Sequence, residues 1–337
     1  MVTLKDVAKL AGVSYQTVSK VLHGTISVSN DTEERIYQAI NILDYRPNRA
    51  AQNLRTSKSK TIGYSWIPTK AGEFNPILES FLQGMMIVAS SLGYDLLCFP
   101  GNQDTSITNK KYRDLFYSKR VDGFILSNVE TNDSRIGFLR KMNIPFAAFG
   151  WSKEDVDYPA VDIDGYEGMR SVVDHLYQSG RHRIALLAWQ GNSRVGNERV
   201  RGFLSAYQEK YPCSSEPIIC YGQGTVASGY TLAKQVLKDD SIDAIAALND
   251  LMAIGVFQAL KETGKTAGAD IAVTGYDNFP MTEYLEPSLT TVDQPAKEAG
   301  KRVVELLIGS LEEQGGICEH PNYLLQPDLI IRKSTQR

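Results

Sequence analysis

Close behind a series of apolar runs stand residues able to grip a small polar molecule: Phe74 and Asn75, Asn128, Trp151, Trp189, Asn249 and Asp250, Asp277, and Gln294. Arg199 lies three before Gly202 in the run RVRGF and belongs with them. A carboxylate, a guanidinium and primary amides make paired hydrogen bonds to a polyhydroxylated ring, and aromatic faces cover its C–H side. Taken singly, each is as readily a loop cap. A second group sits near the start of the chain, where Ser14, Tyr15, Gln16, Thr17, Ser19 and Lys20 fall together. Gln pairs in bidentate fashion with adenine, Tyr offers an apolar and hydroxyl edge, and hydroxyl and ammonium groups reach bases or phosphates.

Catalytic chemistry finds no such footing. Four scattered histidines give no Ser/His/Asp order, and the run from Gly191 to Gly196 misses a nucleophile elbow by one residue. The run from Gly222 to Ala227 follows a strand and opens a helix like a dinucleotide fingerprint, but Asp239 and Asp240 close that helix instead of ending the next strand. Cys98, Cys213, Cys220 and Cys318 lie far apart, so they are expected as buried thiols. No catalytic residue, metal or cofactor is expected.

The elements that must position these groups follow from period and caps. Thr3 with Asp6 caps a first helix whose apolar positions are Leu4, Val7, Ala8 and Ala11, and Gly12 ends it. Ser14 caps a second, with Val18, Val21 and Leu22 inward and Tyr15, Gln16, Ser19 and Lys20 on the other face, stopped at His23-Gly24. A third opens with Asn30 as cap and Glu33 as partner, and buries Ile36, Ala39, Ile40 and Leu43. Two helices joined by a Gly turn and backed by a third make a helix-turn-helix. Residues 47–60 read as a polar linker with one helix-favouring octet, 48–55, too short to hold alone in water. Thereafter strand runs at 61–68, 94–100, 121–127, 144–150, 183–189, 218–222, 244–248 and 271–276 alternate with helical stretches near 76–92, 108–119, 133–142, 165–180, 196–211, 227–238, 250–263 and 295–313. That alternation argues for parallel sheets covered on both faces, and 337 residues suffice for two.

Charge divides the same way. Residues 1–60 hold 9 Lys+Arg against 5 Asp+Glu and the remainder 27 against 34, so a segment of +4 leads a body of -7. A basic leader suits a polyanion. No apolar run approaches the about 18 residues of a membrane span, and residues 1–10 are charged where a signal peptide is apolar, so a cytoplasmic protein with no membrane partner is expected.

The run from Thr3 to Lys20 (TLKDVAKLAGVSYQTVSK), with PNRAAQ at 47–52 and Gly275-Tyr276-Asp277, resembles the lactose-repressor (LacI/GalR) family of transcription regulators over the whole chain. The resemblance implies a helix-turn-helix headpiece (1–46), a hinge helix and linker (47–60), and a core (61–337) of two doubly wound parallel-sheet subdomains similar to type I periplasmic binding proteins. Three crossings near 160, 291 and 320 would divide the core into an N-subdomain, 61–160 plus 292–320, and a C-subdomain, 161–291 plus 321–337. It also implies a homodimeric repressor on a palindromic operator, controlled by a small effector, a sugar or sugar phosphate. Tyr15 and Gln16 take the base-reading places with Ser14 and Lys20, while Thr3, Thr17, Ser19, Arg49 and Arg55 meet the DNA backbone. In the hinge, Asn48, Ala51 and Leu54 enter the minor groove, with Leu54 the wedge. Asp277, Arg199 and Asn249 match the family's effector contacts.

Two departures bear on the effector. An aromatic common in the family five residues before Gly229 is here Gly224, and an acidic position of the lactose repressor after the fourth strand is Gly150, so Trp151 or Trp189 is expected to supply the stacking face. No leucine heptads follow the strand-like 323–332, which predicts a dimer without the lactose repressor's tetramerising tail. The rival readings are a solute-binding protein, against which the headpiece stands, and a nucleotide-dependent enzyme, for which no catalytic constellation is present.

Overall fold

A computed structural model describes residues 2–22, 26–46, 58–66, 75–102, 104–151, 157–189, 191, 193–212, 216–312 and 322–336. The chain divides into two units, Met1–Ser59 and Lys60–Arg337.

In the first unit, α1 (Leu4–Ala11), α2 (Tyr15–Leu22) and α3 (Asn30–Ile42) enclose one small core. Val7, Val18 and Ile36 are fully buried there, each contributing about 1.5–3 kcal/mol by leaving water. The Asp6 carboxylate accepts from the Thr3 N–H (2.8 Å) and hydroxyl (2.7 Å), and these bonds hold its pKa below the ordinary carboxylate value. Gly12 follows with φ 65. The cap of α3 is Ser29, whose hydroxyl accepts from Thr32 N, and not Asn30, which is already helical. Ile40 and Leu43 only border this core.

The second unit holds two six-stranded sheets. The first comprises β1 (Thr61–Trp66), β2 (Asp95–Pro100), β3 (Gly123–Leu126), β4 (Phe146–Phe149), β5 (Ala160–Ile163) and β11 (Asn322–Leu325), all parallel, in the order β11-β5-β4-β3-β1-β2. The second comprises β6 (Ile184–Trp189), β7 (Ile218–Gly222), β8 (Ala244–Ala247), β9 (Ala272–Tyr276), β10 (Thr290–Asp293) and β12 (Asp328–Ile330) in the order β12-β10-β9-β8-β6-β7, with β12 alone antiparallel. Helices cover both faces. In the N-subdomain they are α4 (Pro76–Ser91), α5 (Thr105–Tyr117), α6 (Ser134–Lys141) and α11 (Ala296–Glu312). In the C-subdomain they are α7 (Gly165–Gln178), α8 (Arg194–Lys210), α9 (Val226–Val236) and α10 (Asp250–Glu262). Each sheet separates two apolar layers.

The chain passes between the sheets at 164, at 294–295 and at 326–327. The last passage falls later than the sequence suggested, because Asn322–Leu325 pairs in parallel with β5 before Gln326-Pro327 breaks the strand-like 323–332 in two. Strands β5 and β10 also went unread. Helix α5 starts at Thr105, three residues before its expected start, since the Asp104 carboxylate caps it by accepting from Ser106 N (2.9 Å). Cys98 is exposed on the edge strand β2, not buried; Cys213 and Cys318 lie outside the described residues.

Candidate functional site

In the headpiece, the residues expected to read bases stand at the start of α2. Tyr15 and Gln16 are exposed, and so is Lys20. The Ser14 hydroxyl accepts from Thr17 N (3.0 Å) and shares a hydrogen bond with Thr17 Oγ1 (2.8 Å), which fixes the helix entry next to Tyr15 and Gln16. Thr3 is exposed at the start of α1, its hydroxyl turned to Asp6. Ser19 is 5% exposed, so it turns into the headpiece and off the phosphate-facing set expected from the sequence. His23, Asn48, Arg49, Ala51, Leu54, Arg55 and Phe74 lie outside the described residues.

In the core, a cavity of about 590 Å³ opens where strands of both sheets end. That is where an open parallel sheet leaves helix N-termini and loops free to meet a ligand. Asn75, Asn128, Trp189, Arg199, Asn249, Asp277 and Gln294 all line it. Trp151 does not. It follows Gly150, whose φ of 100 turns the chain, and packs instead against one apolar layer of the N-subdomain core.

Arg199 is 3% exposed on α8 and is held from several sides. Its guanidinium donates to Leu248 O (2.6 Å), lies 3.6 Å from Asp277 Oδ1, and sits over the rings of Tyr276 at 3.6 Å and Trp189 at 5.1 Å. Its Nε and Trp189 Nε1 are buried without hydrogen-bond partners. Buried donors left open at a cavity wall are costly unless something else accepts from them. Asp277 follows β9 with φ 112 and accepts from Gln294 Nε2 (2.6 Å). Burial pushes its pKa up to about 6, with Arg199 and Gln294 pulling the other way. Asp250, beneath it, accepts from Phe279 N (2.7 Å) and Thr291 Oγ1 (2.6 Å); burial, then the Asp277 charge, raises its pKa well above the carboxylate range. It braces the loop that carries Asp277.

The asparagines serve two purposes at once. Asn75 Oδ1 caps α4 through Leu78 N (3.2 Å), and Asn249 Oδ1 caps α10 through Met252 N (2.9 Å). Asn249 Nδ2 donates to Gly224 O (3.0 Å). Gly224 itself accounts for the missing aromatic, because a Cβ there would lie 3.0 Å from Trp189 Nε1: the indole of Trp189 already fills that space. Asn128 adopts φ 50, and its carbonyl accepts from Arg135 Nη2 (3.1 Å), which a close ion pair to Asp133 (2.6 Å) holds in place.

Sequence reasoning missed the opposite wall. Asp162 on β5 and Arg194 at the start of α8 form an ion pair at 2.8 Å, with side chains 10% and 12% exposed. Burial raises the Asp162 pKa, opposed first by the Arg194 charge. Glu130, Glu198, Ser193, Phe149 and Phe279 also line the cavity. Arg194 stood in a run weighed only as a failed nucleophile elbow; its place just after β6 was the signal that would have found it. Among the described residues no His/Cys/Asp/Glu cluster is arranged for a metal, and no helix is long and apolar enough to cross a membrane.

Residues 3–48 match the family model "Bacterial regulatory proteins, lacI family", and residues 173–335 match "Periplasmic binding protein-like domain". The HTH-type transcriptional repressor PurR of Aliivibrio fischeri is 30% identical over 99% of this chain and 98% of its own. Among solved structures, a regulatory protein of the LacI family from Chloroflexus aggregans is 43% identical, with TM-score 0.77 over 82% of this chain and 99% of that one. The lac repressor dimer bound to operator and the anti-inducer ONPF is 28% identical, with TM-score 0.85 over 100% and 99%. The complex of the regulator CelR with cellobiose is 27% identical, with TM-score 0.72 over 99% and 100%.

Proposed function

The chain belongs to the LacI family of bacterial transcriptional regulators, and from that premise we propose that it represses from a palindromic operator as a homodimer whose grip on DNA is set by a neutral sugar in the cleft. The observation that carries the effector reading is the Arg199–Asp277–Gln294 cluster beside Asn249 and Trp189. A carboxylate that accepts, a guanidinium and amides that donate, and an indole face together match adjacent hydroxyls on a ring.

Charge narrows the class. Among the described lining residues four carboxylates (Glu130, Asp162, Glu198, Asp277) meet two guanidiniums (Arg194, Arg199), and both guanidiniums already face an aspartate. A phosphate entering that field meets net repulsion in a low-dielectric cleft, so the unphosphorylated sugar is favoured over the sugar phosphate. The CelR relative, bound to cellobiose, supports a sugar ligand here.

The DNA-binding half keeps its sequence-based assignment. Tyr15 and Gln16, with Ser14 and Lys20 beside them, read bases, while Asn48, Ala51 and Leu54 enter the minor groove and Arg49 and Arg55 meet the DNA backbone. The lac repressor relative binds its operator as a dimer. Large apolar side chains stand exposed on this chain at Met86 and Ile87 of α4 and at Met281 and Tyr284 (84% exposed) after β9, and a second copy of the chain is the occupant that suits them.

A thermal-shift screen followed by calorimetry tests the effector, since a ligand bound only to the folded protein raises its melting temperature. Neutral mono- and disaccharides are expected to stabilise and their phosphates not; a phosphate or nucleobase as the tightest ligand overturns the reading.

A further inference from the structure

We infer that Arg194, gripped by Asp162 and Glu130, is a clasp that draws the two subdomains together before any effector arrives. Arg194 belongs to the C-subdomain, as the first residue of α8, whereas Asp162 on β5 and Glu130 after β3 belong to the N-subdomain. Three links therefore cross the cleft at one residue. The guanidinium pairs with Asp162 at 2.8 Å, its Nε donates to Val129 O at 3.4 Å, and the Arg194 backbone N–H donates to Glu130 Oε2 at 3.1 Å. The last link places a carboxylate on a helix N-terminus, where the helix dipole favours it.

The N-subdomain is shaped to receive this side chain. Asp162 accepts from Ile163 N (2.9 Å) and Trp151 N (3.4 Å), so its oxygens are oriented before Arg194 meets them. Gly150 leaves the room: a Cβ there would stand 3.1 Å from Arg194 Nη2, and φ 100 disfavours one in any case. The loss of the acidic position noted at Gly150 thus has a physical counterpart, since the acid now comes from Asp162 and glycine admits the arginine. Closing the cleft strips water from Asp162, and a buried carboxylate without its cation is strongly unfavourable. Once closed, the pair is hard to break from one side.

The consequence for regulation rests on the reading of the cleft as an effector site: a ligand must enter between subdomains that already hold each other. The clasp itself is testable with neither effector nor DNA. The full chain is compared with Asp162→Asn, Arg194→Gln, the double variant and Glu130→Gln by amide hydrogen exchange and small-angle scattering. Exchange at residues 194–197 is expected to rise about tenfold in each Asp162 and Arg194 variant, with a larger radius of gyration, and no further in the double variant. Glu130→Gln, at an exposed position, should give a smaller rise. Protection across α10 reports whether each variant is folded. Folded variants with wild-type exchange at 194–197 and wild-type scattering overturn the clasp, and should Asp162→Asn or Arg194→Gln unfold, Glu130→Gln alone decides by the same measure. A clasp that behaves as stated in a protein that binds no sugar would sink the effector reading and leave this inference standing.

Discussion

Under the proposed function, the headpiece and the cleft would recognise their partners by opposite means. In the headpiece the side chains proposed to read bases lie within one short helix and are exposed: Ser14 fixes the start of α2 by capping Thr17 N, and Tyr15 and Gln16 stand clear of the core. In the cleft the groups come from many segments spread between Asn75 and Gln294, and two pairs are buried and joined beforehand, Arg199 with Asp277 and Arg194 with Asp162. A DNA groove arrives with its own charge and geometry, so flexible exposed donors suffice. The proposed sugar would bring no charge of its own, so the protein would have to hold ionised groups in place for it. The two functions should therefore separate under mutation, and the size of each effect should follow how much is prearranged.

The largest effect is expected at Arg199. Arg199→Ala removes a donor that Leu248 O and Asp277 both use, and leaves the Asp277 carboxyl buried without its cation. At about 1.5–3 kcal/mol for each hydrogen bond to a charged group, effector affinity should fall on the order of a hundredfold. Calorimetry measures it, and a titration of operator DNA with and without effector should lose its difference. An unaltered effector response would place the ligand elsewhere. Next comes Gln16→Ala, which should cost about 1–3 kcal/mol on the best operator and relax one base position. Selection from a randomised operator library that returned the wild-type consensus would remove Gln16 from the reading role.

What could be read from the sequence follows the same division. The headpiece was legible because its caps and its 3.6-residue period are local; even there Ser29 and not Asn30 took the α3 cap, since a serine hydroxyl already reaches Thr32 N. In the core, strands with unbroken apolar runs were found, and β5 and β10 were not. Each has four residues and carries polar side chains into the interior: Asp162 in β5, Thr290 and Thr291 in β10. Asp is depleted in strands, and a buried Asp or Thr is tolerated only where partners await it. Those partners, Arg194 for Asp162 and Asp250 for Thr291, lie 32 and 41 residues away, in elements that pattern alone does not bring together. The Arg199–Asp277 half of the site was visible because Asp277 directly follows a readable strand and Arg199 stands in the RVRGF run, three before Gly202. The Asp162–Arg194 half was hidden with β5.

A pH titration separates the two regions without a mutation. Asp277 is pushed from 3.8 up to about 6, so effector binding that needs its carboxylate should weaken as pH falls through about 6, by about tenfold per unit below it. Folding stability moves in the other direction. The folded chain keeps a proton on Asp277 that the unfolded chain releases, so this group's contribution is fully present below pH 3.8 and is lost as pH rises to about 6. Calorimetry between pH 5 and 8 checks the first statement, and denaturant melts of wild type and Asp277→Asn over pH 4 to 7 check the second. An effector affinity that stays flat to pH 5 would mean the ligand does not engage the ionised carboxylate.

The smallest effect, and the one that most sharpens the account of prearrangement, is expected at Gln294. Its amide donates to Asp277 Oδ1 at 2.6 Å, from the segment where the chain passes between subdomains. That bond favours the ionised carboxyl, while Arg199 supplies the larger opposing charge. Gln294→Ala should therefore leave the ion pair in place and lower effector affinity at pH 8 by only about threefold, the size of one typical net hydrogen bond. Its signature is instead the pH profile. With one stabilising donor gone, the Asp277 midpoint should move upward, so the loss relative to wild type widens between pH 7 and 6 before the two profiles run parallel again. Calorimetric affinities at half-unit steps would reveal this. Profiles that differ by a constant factor at every pH would show that Gln294 touches the effector directly and does not act through Asp277.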